Sequence, residues 1–278
     1  MRPFTWLTPE TTEEAVALLR AHGEGARVIA GGQTLLLAMK ERLVGPSHLV
    51  SLARITDLAG ITTEPDGALV VGAATTYAAL TRAELPGWQR RLSEVAGDLA
   101  DRPVRNRGTI GGALCAADPR FDMPAFAVGV DAELRISGAA GERALPAHEF
   151  LVDAGRTALG QDEILTAVVL PPLPTWDVVV FEKFRHRVFD AAIASAVCAL
   201  RREDHGVPAS LRITVAGATP TPTVVLVDAA ADGAAAAESA VAAVRLDSSD
   251  EATRYRRELV HTLVRRVVDR AHAQQGSV

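Results

Sequence analysis

Two glycine pairs, far apart in the sequence, are the residues with the clearest capacity for chemistry. Gly31-Gly32 follows the short apolar run Arg27–Ala30, and Gly111-Gly112 follows the basic stretch Arg105–Gly108. A glycine turn between a strand and a helix can direct several backbone amides at an anion, because no side chain covers them. Each pair is equally typical of an ordinary tight turn, so both interpretations stand at this point. The first pair lacks the third glycine of the G-x-G-x-x-G dinucleotide fingerprint.

Other candidate groups are fewer and each has a structural alternative. Asp118 and Asp122, four positions apart, could serve acid–base chemistry or a metal, or act as a turn cap and a ligand of a cofactor hydroxyl. Cys115 is interpreted either as a redox-active thiol or, with more weight, as a small buried apolar residue, whereas Cys198 in an apolar strand is structural. The histidines show no metal-ligand spacing. We therefore predict no catalytic side chain and no metal site.

The two cysteines also limit what the chain can carry. They are too few to ligate an iron–sulfur cluster, which needs four ligands, and too far apart in sequence to suggest a disulfide framework. Any such cluster must lie on another chain.

Regular elements are predicted around both loops. The N-terminal part predicts a helix from a Thr11/Glu14 capping box to Gly23, then a strand, the first glycine turn, a helix and another strand. The predicted strands are 27–30, 49–52, 68–71, 131–137, 164–170, 178–185, 193–201 and 211–216, and the predicted helices are 11–23, 34–43, 87–100, 229–244 and 250–272. Residues 101–108 are expected to form a polar, basic loop. The stiff segment Pro171–Pro174 is the predicted boundary between the two main domains.

Length and composition restrict the class of protein. A chain of 278 residues with 48% hydrophobic and 23% charged residues is long enough for two folded domains and is not disordered. A net charge of −5 and only 4% aromatic residues argue against nucleic acid and anionic membranes as partners. The sequence has neither the apolar region of a secretory signal nor a span of about 18 to 20 apolar residues, so a cytoplasmic protein is expected.

The motifs resemble those of one known family. Val28–Leu35 and Arg105–Gly112, with Ala117-Asp118-Pro119 and Asp122, are similar to the paired signatures of the FAD-binding medium subunit of molybdenum hydroxylases, the carbon monoxide dehydrogenase medium chain and xanthine dehydrogenase FAD-binding family. The similarity continues through Lys183, Arg185, Arg187 and Asp190, and through Asp250–Ala252 and Arg254–Arg257.

The resemblance implies an α+β fold. A two-subdomain FAD-binding domain of the vanillyl-alcohol oxidase (PCMH-like) class would span residues 1–172, with subdomains at about 1–60 and 61–172. A smaller α+β C-terminal domain would span residues 175–278.

It also implies a function and its site. In the family this subunit receives electrons from an iron–sulfur small subunit, which takes them from a molybdenum-cofactor large subunit, and passes them to an external acceptor. Backbone amides of both loops would hold the FAD pyrophosphate, Asp122 would bond the polar chain of the cofactor, Leu165 would pack near its rings and Lys183 would approach the flavin. The implied FAD-binding residues are Ile29, Ala30, Gly31, Gly32, Gln33, Thr34, Leu35, Thr109, Ile110, Gly111, Gly112, Asp122, Leu165 and Lys183.

Two positions depart from the family pattern. Ala113 stands where the family usually has Asn, and Ala191 stands where many relatives carry an aromatic residue beside the flavin. If the Asn side chain bonds the cofactor, Ala113→Asn should tighten FAD binding. The departures keep two alternatives open, a stand-alone flavin-dependent oxidoreductase acting on a small molecule and an FAD-free interaction scaffold.

Overall fold

The computed structural model describes residues 1–201, 209–244 and 251–275. Its first part is a small parallel sheet with strand order β1-β3-β2 and one helix on each face. The elements are β1 (Thr5–Leu7), α1 (Thr12–His22), β2 (Ala26–Ile29), α2 (Leu35–Lys40) and β3 (His48–Ser51). As predicted, Thr11 caps α1 by accepting a hydrogen bond from the amide of Glu14.

The second part is a five-stranded antiparallel sheet of order β4-β5-β10-β6-β7, with helices over one face. The elements are β4 (Ile61–Thr63), β5 (Leu69–Gly72), α3 (Tyr77–Arg82), α4 (Arg91–Gly97), α5 (Arg102–Arg107), α6 (Ile110–Ala116), α7 (Asp122–Gly129), β6 (Glu133–Gly138), β7 (Gly141–Pro146), α8 (Ala147–Phe150), β8 (Leu151–Asp153), β9 (Arg156–Thr157) and β10 (Glu163–Leu170). The main hydrophobic core lies between this sheet and its helices.

The third part is a four-stranded antiparallel sheet of order β11-β12-β13-β14. The elements are β11 (Val178–Phe184), β12 (Ala194–Arg201), β13 (Ser210–Ala216), β14 (Thr223–Asp228), α9 (Gly233–Val244) and α10 (Glu251–Gln275). Helices α9 and α10 pack on one face of the sheet and form a second core with it. The mixed helix and sheet content agrees with the predicted α+β class.

Helix α7 joins the second and third parts. All of its residues are buried, as expected for a helix whose residues after Asp122 are all apolar. A Cβ on Gly129 would lie 2.6 Å from the Val197 side chain, so the helix lies directly against β12. Trp176 Nε1 donates to the Val130 carbonyl at 3.0 Å, and Arg91 Nε donates to the Val179 carbonyl at 2.8 Å. The chain passes between the two sheets through a turn at Leu173–Thr175; the exact domain limits stay a prediction.

One predicted element is wrong and others were missed. The expected loop at 101–108 contains the helix α5, because Asp101 accepts a hydrogen bond from the Val104 amide at 3.0 Å and a proline occupies the first turn, where its missing N–H costs nothing. The short helices α3, α6, α7 and α8 and the strands β1, β4, β7, β8, β9 and β14 were not predicted. Asp250, the predicted start of the last helix, and residues 276–278 of the predicted C-terminal domain lie outside the described residues. None of the helices described here is long and apolar enough to cross a membrane.

Candidate flavin site

The first glycine loop lies at the carboxyl end of the small parallel sheet. Strand β2 ends at Ile29, residues 30–34 turn, and α2 begins at Leu35. Gly32 has a φ of +73°, a conformation that L side chains rarely adopt, and so requires glycine. Within the parts of the chain that the structure describes, no acceptor bonds the backbone amides of Gly31, Gly32, Gln33, Thr34 and Leu35. Since these residues are exposed or half-buried, their amides can reach a ligand.

The second glycine loop is built differently. Thr109 caps α6, its Oγ1 accepting from the Gly112 amide at 3.1 Å. The amide of Ile110 donates to the Thr75 carbonyl at 3.1 Å, and that of Gly111 donates to the Ala73 carbonyl at 2.9 Å. A Cβ on Gly111 would lie 2.5 Å from the Cβ of Ala73. The amides of Ile110, Gly111 and Gly112, three of those expected to hold a pyrophosphate here, are therefore already bonded, and Gly111 permits close packing.

The two loops meet through Gly31. A Cβ at this position would lie 2.0 Å from the carbonyl oxygen of Arg107 and 3.0 Å from Gly108 Cα. Residues far apart in sequence thus come together, and only glycine permits the approach. The turn that leads into α6 forms a wall beside the free amides of the first loop.

Asp122 and Lys183 form a buried ion pair between the second and third parts of the chain. Lys183 Nζ contacts Asp122 Oδ2, and their side chains are 7% and 3% exposed. Burial raises the pKa of Asp122, although the neighbouring ammonium opposes this. Burial also raises the pKa of Tyr77, and the charge of Asp122 adds to that effect. A carboxylate and an ammonium, the groups expected to meet the cofactor, therefore contact each other.

The other predicted residues divide into exposed and buried groups. Gln33 and Thr34 are exposed, whereas the side chains of Ile29, Ile110 and Leu165 are buried. Leu165 lies in the main core on β10, against which α6 packs. Ile29 and Ile110 can therefore contact a ligand chiefly through their backbone.

Two residues of α6 differ from their expected surroundings. Cys115, expected to be buried, has an exposed surface on the same side of α6 as exposed Gly112, although desolvation by the surrounding protein raises the pKa of its thiol. Ala113 is 5% exposed and lies in the main core. A side chain at position 113 points into the protein, which argues against the expectation that an asparagine there would bond the cofactor; that expectation stays a prediction. Cys198 is buried, as predicted.

Sequence reasoning missed two residues beside the buried pair. Asp98, directly after α4, accepts from Lys183 across 85 positions of sequence. Tyr77 packs its ring beside Gly108, where a Cβ would come within 2.7 Å of it. No motif marks either residue, because each contact depends on distant segments meeting.

Neither a metal nor the cavity beside α1 suggests another centre. Among the described residues, no group of three or more His, Cys, Asp or Glu side chains could hold a metal ion. A cavity of about 280 Å³ lies between the start of α1 and the outer face of the five-stranded sheet, and neither glycine loop lines it. The free amides of the first loop fit a phosphate-bearing cofactor. So does its backbone, whose conformation at Gly32 and close approach at Gly31 require glycine.

Comparisons with known proteins agree with this geometry. Residues 2–173 match the model of the FAD binding domain in molybdopterin dehydrogenase. The carbon monoxide dehydrogenase medium chain of Afipia carboxidovorans is 36% identical over 282 residues, covering 98% of this chain and 97% of the relative. The alpha subunit of the 6-hydroxypseudooxynicotine dehydrogenase complex of Paenarthrobacter nicotinovorans is 32% identical over 284 residues, covering 98% and 96%.

A solved structure shows the same fold. Reconstituted CO dehydrogenase from Oligotropha carboxidovorans contains a chain that superposes with a TM-score of 0.87 at 35% identity, covering 98% of this chain and 99% of that one. The chain therefore belongs to the family of FAD-binding domains of molybdopterin dehydrogenases, as a medium subunit of the molybdenum hydroxylase type with FAD as its cofactor.

Proposed function

We propose that this chain holds FAD at the first glycine loop and passes electrons from an iron–sulfur partner subunit to an external acceptor. The observation that carries the proposal is the run of free amides from Gly31 to Leu35. Successive backbone N–H groups in a turn form a concave site for an anion, and a pyrophosphate supplies that charge. The turn before α6 supports the loop through its contact with Gly31.

The remaining residues of the site then take distinct roles. Gln33 and Thr34 are exposed at the loop and would contact the phosphates directly. Thr109, Ile110, Gly111 and Gly112 would fix the wall of the site through the Thr109 cap and the hydrogen bonds to Thr75 and Ala73. Asp122 would face the polar chain of FAD and Lys183 would face its flavin. Leu165 would supply apolar packing near the flavin rings.

The bound flavin would supply the redox chemistry, because it can exchange electrons both singly and in pairs. No side chain of this chain is assigned a proton-transfer or nucleophilic role. The protein would bind the cofactor, orient it and set the charge around it.

Partner subunits follow from what the chain lacks. Its two cysteines cannot ligate a cluster, so electrons must arrive across an interface. Relatives are named as medium chains or subunits of dehydrogenase complexes. We propose an iron–sulfur small subunit and a molybdenum-cofactor large subunit as the partners.

A charge placed in the first loop tests the flavin site. Thr34→Asp adds a carboxylate on an exposed side chain without changing a glycine, so the fold should persist. Repulsion from the pyrophosphate should weaken FAD binding by about tenfold to a hundredfold, measured by flavin titration. Thr63→Asp adds the same charge at an exposed position on β4 and is the matched control. Equal affinity in both variants would contradict the assignment of the loop.

A co-expression experiment tests the partners. Produced with the products of adjacent genes, the chain should purify in a complex that contains FAD, iron and molybdenum. A chain that purifies alone and rapidly oxidises a small molecule would instead support a stand-alone flavoenzyme. A folded chain that takes up no FAD would support the interaction scaffold.

A further inference from the structure

Lys183 is held from two sides by residues of the part of the chain that precedes β11. One side is Asp122, the buried first residue of α7. The other is Asp98, whose carbonyl oxygen accepts from Lys183 Nζ at 3.0 Å and whose Oδ2 lies 3.2 Å from it. Because Lys183 is on β11, these contacts cross the junction that α7 fills.

Arg185 holds Asp98 in turn. Lys183 is on β11 and Arg185 is the first residue after that strand, and both side chains reach Asp98. Arg185 Nη2 donates to Asp98 Oδ1 at 2.7 Å, and Nη1 donates to the Asp98 carbonyl at 2.9 Å. Asp98 has two carboxylate oxygens and one carbonyl oxygen, and each of the three thus contacts Lys183, Arg185 or both.

The charges of this four-residue cluster cancel. Partial burial raises the pKa of Asp98, but the hydrogen bond from Arg185 and the charge of Lys183 outweigh it and leave that pKa below its usual value. With Asp98 and Asp122 ionised, two carboxylates balance the ammonium and the guanidinium. Asp98 is 56% exposed, whereas Lys183 is almost fully buried, so Asp98 is the member that can be changed with least disturbance of the core.

We propose that Asp98 is a positioning residue that fixes Lys183 and, with Arg185, sets the net charge presented to the flavin. The inference rests on the proposed function, in which Lys183 approaches the flavin. Removing the charge of Asp98 leaves the cluster with a net positive charge, which favours the reduced flavin because reduction adds electron density to the ring. Removing the charge of Arg185 leaves a net negative charge and disfavours the reduced form.

Opposite shifts distinguish this electrostatic role from loss of structure. In the full-length chain loaded with FAD, Asp98→Asn should raise the ratio of reduced to oxidised flavin about tenfold when the redox potential of the solution is held fixed. That change equals about 30 mV in the midpoint potential of a two-electron couple. Arg185→Gln should lower the ratio by a similar factor, and the double variant should return it close to that of the unchanged chain. The measurement is equilibration with a reference dye.

Glu10→Gln is the matched control, since it removes one carboxylate from an exposed pair with Arg54 and should leave the ratio unchanged. If Asp98→Asn and Arg185→Gln shift the ratio in the same direction, or not at all, the inference is overturned while the flavin site stands. If Asp98→Asn fails to retain FAD, Arg185→Gln must still lower the ratio. If the unchanged chain binds no FAD, the proposed function itself fails, and this inference fails with it.

Discussion

The two glycine loops share the dipeptide Gly-Gly but have different structural roles. In the first loop the amides from Gly31 to Leu35 have no acceptor among the described residues, and Gly32 needs a positive φ. In the second loop the amides of Ile110, Gly111 and Gly112 are bonded to Thr75, Ala73 and Thr109. A glycine pair can therefore mean an open anion site or a close backbone contact, and the hydrogen-bond partners distinguish the two.

The difference has a physical origin in what surrounds each loop. The first loop follows an edge strand of a small sheet and remains at the surface. The second follows α5 and runs into the main core, where an unbonded amide would be costly. The amides of the second loop are therefore bonded, mostly to the segment after β5, and the turn before α6 supports the first loop through the close approach of Gly31 and Arg107.

The largest effect is expected where the loops touch. Gly31→Ala would place a Cβ 2.0 Å from the Arg107 carbonyl oxygen, so the loops must separate. We expect the free energy of unfolding to fall by roughly 1–3 kcal/mol, as for other overpacked sites, and FAD binding to be lost. Gly111→Ala should cost similar stability through Ala73 but retain more FAD affinity, because it leaves the free amides in place.

Chemical denaturation and flavin titration on the same samples would check both variants. Gly97→Ala is the control, since its Cβ would meet only ordinary contacts 3.5 Å from Thr81 and the residue lies in α4. It should be neutral or stabilising by up to about 1 kcal/mol. Equal loss of FAD affinity in Gly31→Ala and Gly111→Ala would erase the distinction between the loops.

Ala113, on the core side of α6, is expected to affect stability but not to cause the loss of FAD expected at Gly31. Ala113→Asn would bury an amide among apolar side chains and should lower the free energy of unfolding by about 1–3 kcal/mol. FAD affinity should not increase, because the side chain points away from the loop surface. Cys115→Asn, on the exposed side of the same helix, should cost much less. Tighter FAD binding in Ala113→Asn would mean that α6 presents this face to the cofactor.

The smallest effects are expected at the two threonines that precede the helices. Thr109→Ala removes a cap from α6 and should cost about 1 kcal/mol of stability, whereas Thr109→Ser should restore it. Thr34 makes no capping bond, so Thr34→Ala should change stability by less than about 0.5 kcal/mol. Thermal unfolding of the three variants measures this difference. Equal costs at both positions would show that the first loop, too, is held by its cap.

Several parts of the site could be read from the sequence. The alternation of apolar runs with glycine turns predicted β2, the first loop and α2, and the family motifs predicted FAD. The exposed helix α5 was missed, because its polar composition resembles a loop and only the Asp101 cap reveals it. The helix α7 was missed because its residues after Asp122 are all apolar, and such a short segment has no period by which to recognise it.

The sequence by itself determined where the glycines lie and which charged side chains are available. It also determined that two cysteines are too few to ligate an iron–sulfur cluster. Those properties depend on residue type and near neighbours. Only the tertiary structure decided which amides stay free, that Gly31 meets Arg107, that Ala113 faces the core and that Asp98 reaches Lys183. Each of these depends on segments far apart in the chain packing together, and composition and spacing carry no record of that packing.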